Sequence, residues 1–185
     1  FVFALAAVSL EKKSAYEAVY RPSGQDLTFS LLGALGLIAG CVLSFRGSIA
    51  QMLVSLLGLL AGLSLGAGAV LRWKAKKPSA AFSVFVVLFY VAKLFRDFRH
   101  WEINPAILDY CFSLFAMIAF MLASYHAGAF SFERGARRRL AFYSLLGVLF
   151  GAVSLAGAQL PELLIYAGSV FWMLACAQQM LRRSV

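Results

Sequence analysis

Charge is scarce in this chain, and that scarcity excludes more than any motif does. Only 14% of the 185 residues are Asp, Glu, Lys or Arg, against about 25% in an ordinary soluble domain. A surface facing water on all sides is therefore not expected. The two histidines, His100 and His126, stand 26 residues apart, which rules out an HExxH zinc site. Cys41, Cys111 and Cys176 are isolated in apolar surroundings, so there is neither a CxxC redox pair nor a disulfide framework. Neither a GxxxxGK[ST] phosphate loop nor a GxSxG nucleophile turn occurs. GAGAV at 66–70 lies within an apolar run and follows no strand, so it is not a dinucleotide loop. No metal, cofactor or catalytic residue is expected. An enzyme would have to arise from an unfamiliar arrangement of Asp97, His100 and Asp109.

Acidic residues are the scarcer sign, with eight Asp and Glu against seventeen Lys and Arg, for a net charge of +9. Such a balance can indicate nucleic-acid binding. Here the basic residues gather at the ends of apolar runs, without the interleaved aromatics or recognition fold that such binding uses, and nucleic acid is excluded as a partner.

What the chain has in abundance is apolar sequence: 62% hydrophobic residues, 17 of them Phe. These residues fall into runs of about twenty, the length that crosses roughly 30 Å of hydrocarbon at about 1.5 Å per residue. Spans are expected near 27–45, 51–71, 80–96, 105–127, 138–157 and 161–181. The expected fold is an all-α polytopic transmembrane bundle, one integral membrane domain with six complete spans. Residues 1–10, FVFALAAVSL, read as the end of a seventh span, and 11–26 as a cytoplasmic connection.

Orientation follows from basic residues, which are retained in the cytoplasm when they flank spans. Thirteen of the seventeen fall on one side of this topology, and only Arg46, Lys93, Arg96 and Arg99 on the other. The RWKAKK and ERGARRR loops and the C-terminus are thus assigned to the cytoplasmic side of a plasma (inner) membrane. Anionic headgroups there are the expected lipid partners, at about 1 kcal/mol per basic residue near the surface.

Small residues recur at helical spacing: Gly58, Gly62 and Gly66, Gly36 and Gly40, Gly147 and Gly151. Such faces let helix backbones approach closely, where lipid supplies no hydrophobic drive for association. Packing within the chain is the expectation. A second copy or a partner membrane protein is the alternative occupant of these faces.

One polar stretch interrupts the apolar pattern. In KLFRDFRHWEINP, 93–105, a helix continuing to about residue 101 puts Lys93, Asp97 and His100 on one face, with Arg96 and Arg99 flanking and Glu102 beyond. Asn104 and Pro105 suit the cap and first position of the next helix, whose first turn carries Asp109. Charges at a membrane boundary ordinarily serve only to meet water, with Lys and Arg snorkelling and Trp and Tyr in the aromatic belt. Ionisable groups inside spans instead mark a site or a pathway. The functional expectation is an outward vestibule of Lys93, Arg96, Asp97, Arg99, His100, Glu102 and Asp109 that binds, and in a transporter moves, a small polar or anionic solute. The competing expectation is an anchor, sensor or assembly subunit that acts through helix packing.

Overall fold

The structure, a computed structural model, describes residues 20, 23–45, 48–101, 107–132 and 134–181, with the backbone alone at 100, 101 and 107–109. These residues form six α-helices and no strand: α1 Gly24–Leu43, α2 Ile49–Trp73, α3 Ala80–Trp101, α4 Ile107–Ala129, α5 Arg137–Ser154 and α6 Leu160–Leu181. Single 3-10 turns, Phe130–Phe132 and Leu155–Gly157, extend α4 and α5. Five of the six are long and apolar enough to cross a membrane. The exception is α3, 22 residues long but carrying Lys93, Arg96, Asp97 and Arg99 in its second half.

Helix ends follow local chemistry. The Ser48 hydroxyl accepts from the Gln51 amide at the start of α2, and the Gln51 side chain donates back to the Ser44 carbonyl, fixing a tight α1–α2 turn. At the end of α6 the buried Arg137 guanidinium donates to the Met180 carbonyl at 2.7 Å, satisfying one of the acceptors a helix C-terminus leaves open. The first helix begins at Gly24, three residues before the expected span, so Asp26 sits in its first turn rather than in a connection. There the helix dipole favours a carboxylate.

Each helix packs against its neighbours in sequence, and α1 closes on α6, so the six form a ring. Its centre is filled: Leu37, Phe89, Tyr90, Met117, Phe120 and Met173 are almost wholly buried. The outward surface is apolar, with Leu35, Ile49, Leu63, Phe95 and Phe115 among the exposed side chains. An apolar exterior around an apolar centre is what lipid requires.

The tightest seam is between α1 and α6. A Cβ on Gly168 would lie 2.7 Å from both the Gly33 carbonyl oxygen and the Leu37 amide nitrogen. Only backbone fits there. On α1, Gly36 and Gly40 face the same helix, meeting the Gly168 Cα and the Pro161 carbonyl. Gly58 and Gly62 of α2 face Cys41 and Ile38 of α1, and Gly147 and Gly151 of α5 both face Phe120 of α4. Gly66 is looser, since an added Cβ would make ordinary contact with Ala34 at 3.7 Å.

Candidate functional site: a charged cleft at one end of the ring

Antiparallel neighbours give the ring two dissimilar ends. One collects the start of α1, the α2–α3 and α4–α5 connections and the end of α6; the other collects the end of α3 and the start of α6. The candidate site is at the latter.

Lys93 and Asp97 are one helical turn apart on the inner face of α3, with Nζ 2.7 Å from Oδ2. Both are buried, Lys93 to 2% exposure. Arg96 reaches around from the flank and donates to Asp97 Oδ1 through Nε at 2.7 Å and through Nη2. Each Asp97 oxygen therefore has its own cation. Across the ring, Glu162 in the first turn of α6 brings Oε1 to 3.9 Å from Lys93 Nζ and 3.8 Å from Arg96 Nη2. One turn further in, the Tyr166 ring lies beside the ammonium, 5.7 Å from its centroid. That is within cation–π range. The formal charges of Lys93, Arg96, Asp97 and Glu162 sum to zero. A full neutralisation of this kind is what makes four charged groups tolerable so close to hydrocarbon.

Beside this network lies a cleft of ≈ 540 Å³. It is lined from four helices: Asp97 of α3, Tyr110 and Ser113 of α4, Ser154 of α5, and Glu162 and Tyr166 of α6. The Tyr166 hydroxyl shares a hydrogen bond with Ser113. Towards the centre the space closes. The Tyr90 hydroxyl donates to Ser169 Oγ at 2.8 Å, Ser169 in turn donates to the Ile165 carbonyl, and the Phe120 ring packs against both Tyr90 and Tyr166.

The sequence-predicted residues divide as follows. Lys93, Arg96 and Asp97 come together in one network. Arg99 is exposed on the same helix and in no ion pair among the described residues. His100 and Asp109 lie on α3 and α4 by their backbones, and Glu102 lies outside the described residues, as do Asn104, Pro105 and the expected partial span at 1–10. Glu162 and Tyr166 were not among the expected site residues. Glu162 follows Pro161 at a helix start, which by itself reads as a capping carboxylate. A signal for it does exist: Lys93, Arg96 and Arg99 outnumber Asp97 on α3, and Glu162 opens an apolar helix at the same end.

A second polar cluster, absent from the sequence reading, occupies the opposite end. Arg72 of α2 places Nε 3.4 Å from Asp26 Oδ2 and donates to Ser30 Oγ at 3.2 Å, while Ser30 donates to Asp26 Oδ1. The buried Gln179 side chain of α6 lies beside Asp26. The Arg72 guanidinium lies over the Tyr20 ring, and the cavity beside it is only ≈ 30 Å³, room for one water. Cys41 and Cys176 are buried and unbonded to each other or to Cys111, and no metal-binding group of three or more His, Cys, Asp or Glu occurs among the described residues.

Comparison with protein families, with curated proteins and with solved structures finds no match to this chain. The reading of the site therefore rests on its geometry.

Proposed function

We propose that the chain crosses the plasma membrane six times and binds a small polar solute in the cleft between α3, α4, α5 and α6. The observation that carries this reading is the lining: two carboxylate-bearing residues, Asp97 and Glu162, and four hydroxyl-bearing residues, Tyr110, Ser113, Ser154 and Tyr166, converge from four helices on a space of ≈ 540 Å³. A packing subunit has no use for such a space. The glycine faces that an assembly subunit would present outward are instead turned against other helices of the same chain.

The sixth span in this proposal is α3. Its 22 residues reach about 33 Å at about 1.5 Å each, and its charged residues at the inner face are neutralised within the bundle. With the RWKAKK and ERGARRR connections on the cytoplasmic side, the cleft opens outward. The geometry also narrows the solute. Lys93 and Arg96 are engaged with Asp97 and Glu162, while Asp97, Glu162 and the hydroxyls are what the cleft presents. A hydrogen-bond donor, an amine or a polyol, complements that lining better than an anion does.

Cysteine accessibility tests it. In a Cys111→Ser background, Ser113→Cys should react with a membrane-impermeant maleimide added to the outside of cells, and should be protected by a solute drawn from a panel of amines, amino acids and polyols. Reaction only with a lipid-permeant reagent would mean that the cleft faces the bilayer and would return the chain to the anchor reading.

A further inference from the structure

At the end of the ring opposite Asp97, a second cleft of ≈ 660 Å³ opens on the outer flank between α3, α4 and the turn into α5. Its two halves differ in chemistry. Along α3, Val84, Val87 and Leu88 form an apolar strip that runs from the helix start towards the bundle's middle, and Val84 and Leu88 are about half exposed. Around the end of α4 and the start of α5 the lining adds the basic side chains Arg134 and Arg139 and the His126 ring, beside Phe132 and small residues. His126 is held in place by stacking on Tyr143, with ring centroids 5.4 Å apart and planes 7° from parallel. Among the described residues no acidic side chain lines the cleft, and neither Arg134 nor Arg139 is in an ion pair.

We infer that this cleft holds an anionic phospholipid, with the phosphate between Arg134 and Arg139 and an acyl chain along Val84, Val87 and Leu88. The inference goes beyond the solute reading and uses none of its residues. Charge complementarity selects the sign of the ligand, since two exposed guanidinium groups face the cleft and no carboxylate among the described residues offsets them. The apolar strip selects a lipid over a free anion. A soluble phosphate would leave Val84, Val87 and Leu88 bare, whereas an acyl chain covers them along the direction in which a bilayer leaflet runs.

The test uses the whole protein in dodecyl maltoside, with native mass spectrometry as the readout. Phosphatidylglycerol should be retained in preference to phosphatidylcholine at equal concentration. Arg134→Gln with Arg139→Gln should reduce that preference about thirtyfold, from about 1 kcal/mol per basic residue. Lys74→Gln with Lys76→Gln removes the same charge from the neighbouring loop and should leave it intact. Val87→Trp fills the apolar strip without touching either arginine and should also lower retention, so the proposal stays testable if the double arginine variant fails to fold. Equal retention of the two lipids, equal loss in the lysine variant, or unchanged retention in Val87→Trp would overturn it. Displacement of the lipid by an equal concentration of glycerol 3-phosphate would also overturn it, by showing a soluble-anion site.

Discussion

The two buried ion clusters are built from similar groups and behave differently. At one end Lys93 and Asp97 belong to the same helix, so their pairing is set by the helix repeat and ties no helices together by itself. The pair is a fixture that holds a carboxylate at the edge of a cleft, and Glu162 completes it from across the ring. At the other end Asp26 and Arg72 come from different helices, at a longer 3.4 Å, with Ser30 and Gln179 closing around them and space for a single water beside them. That cluster is a clasp. A charge in a membrane bundle is thus better judged by what lies next to its pair than by its presence.

The largest loss of stability is expected from Asp97→Ala. It leaves Lys93, 2% exposed, with only Glu162 at 3.9 Å, and should cost about 3–5 kcal/mol, the usual penalty of an uncompensated buried charge. Lys93→Met should cost less, because Asp97 keeps Arg96, and Lys93→Met with Asp97→Asn should recover most of the loss. Denaturation by SDS titration in mixed micelles measures all three. An Asp97→Ala variant as stable as the parent would mean that water reaches Lys93 and that the network is interfacial.

The next effect is expected where both clusters hang from one helix. α6 carries Glu162 at one end and Gln179 at the other, with Gly168 clamped between them. Gly168→Ala must push apart two backbones, and overpacking of this kind costs about 1–3 kcal/mol. Gly66→Ala, with room for its methyl, should be neutral or slightly stabilising. Equal effects in the two variants would show that the α1–α6 seam is slack.

Asp26→Asn should fall at the low end of about 1.5–3 kcal/mol, the range for hydrogen bonds to charged groups, because Arg72 keeps its bond to Ser30 and its side chain is 15% exposed. A larger loss than in Asp97→Ala would reverse the assignment of fixture and clasp. Smallest on stability is Glu162→Gln: its side chain is 45% exposed, and such pairs contribute about 0–1 kcal/mol. Its effect should appear instead in solute protection of Ser113→Cys, which the clasp variant Asp26→Asn should leave unchanged.

Much of the architecture is legible in the sequence because lipid imposes a simple code. An apolar run of about twenty residues has few alternatives to a helix, and the six runs correspond to six helices within a few residues at their ends, wherever those ends are described. The pairing of Lys93 with Asp97 is legible for the same reason, since a four-residue spacing is a local fact. Glu162, Tyr166 and the Asp26–Arg72 clasp are tertiary: Glu162 lies 69 residues from Lys93 and Arg72 lies 46 from Asp26. Each also had a sufficient local explanation, a helix cap for Glu162 and a cytoplasmic flank for Arg72. The glycine periodicity indicates close packing without naming the partner, and Gly168, at the tightest contact in the ring, belongs to no repeat.

The closure of α1 on α6 bears on how the chain is made. Five of the six seams join helices that leave the ribosome one after the other, and each can form as its second member arrives. The sixth joins Gly33 to Gly168, 135 residues apart, and loop closure over such a distance comes late. Until α6 is synthesised, the small-residue face of α1 has no partner of its own, and any other helix in the translocation site with a matching face can occupy it. The arrival of α6 is therefore the step on which closure of the ring waits.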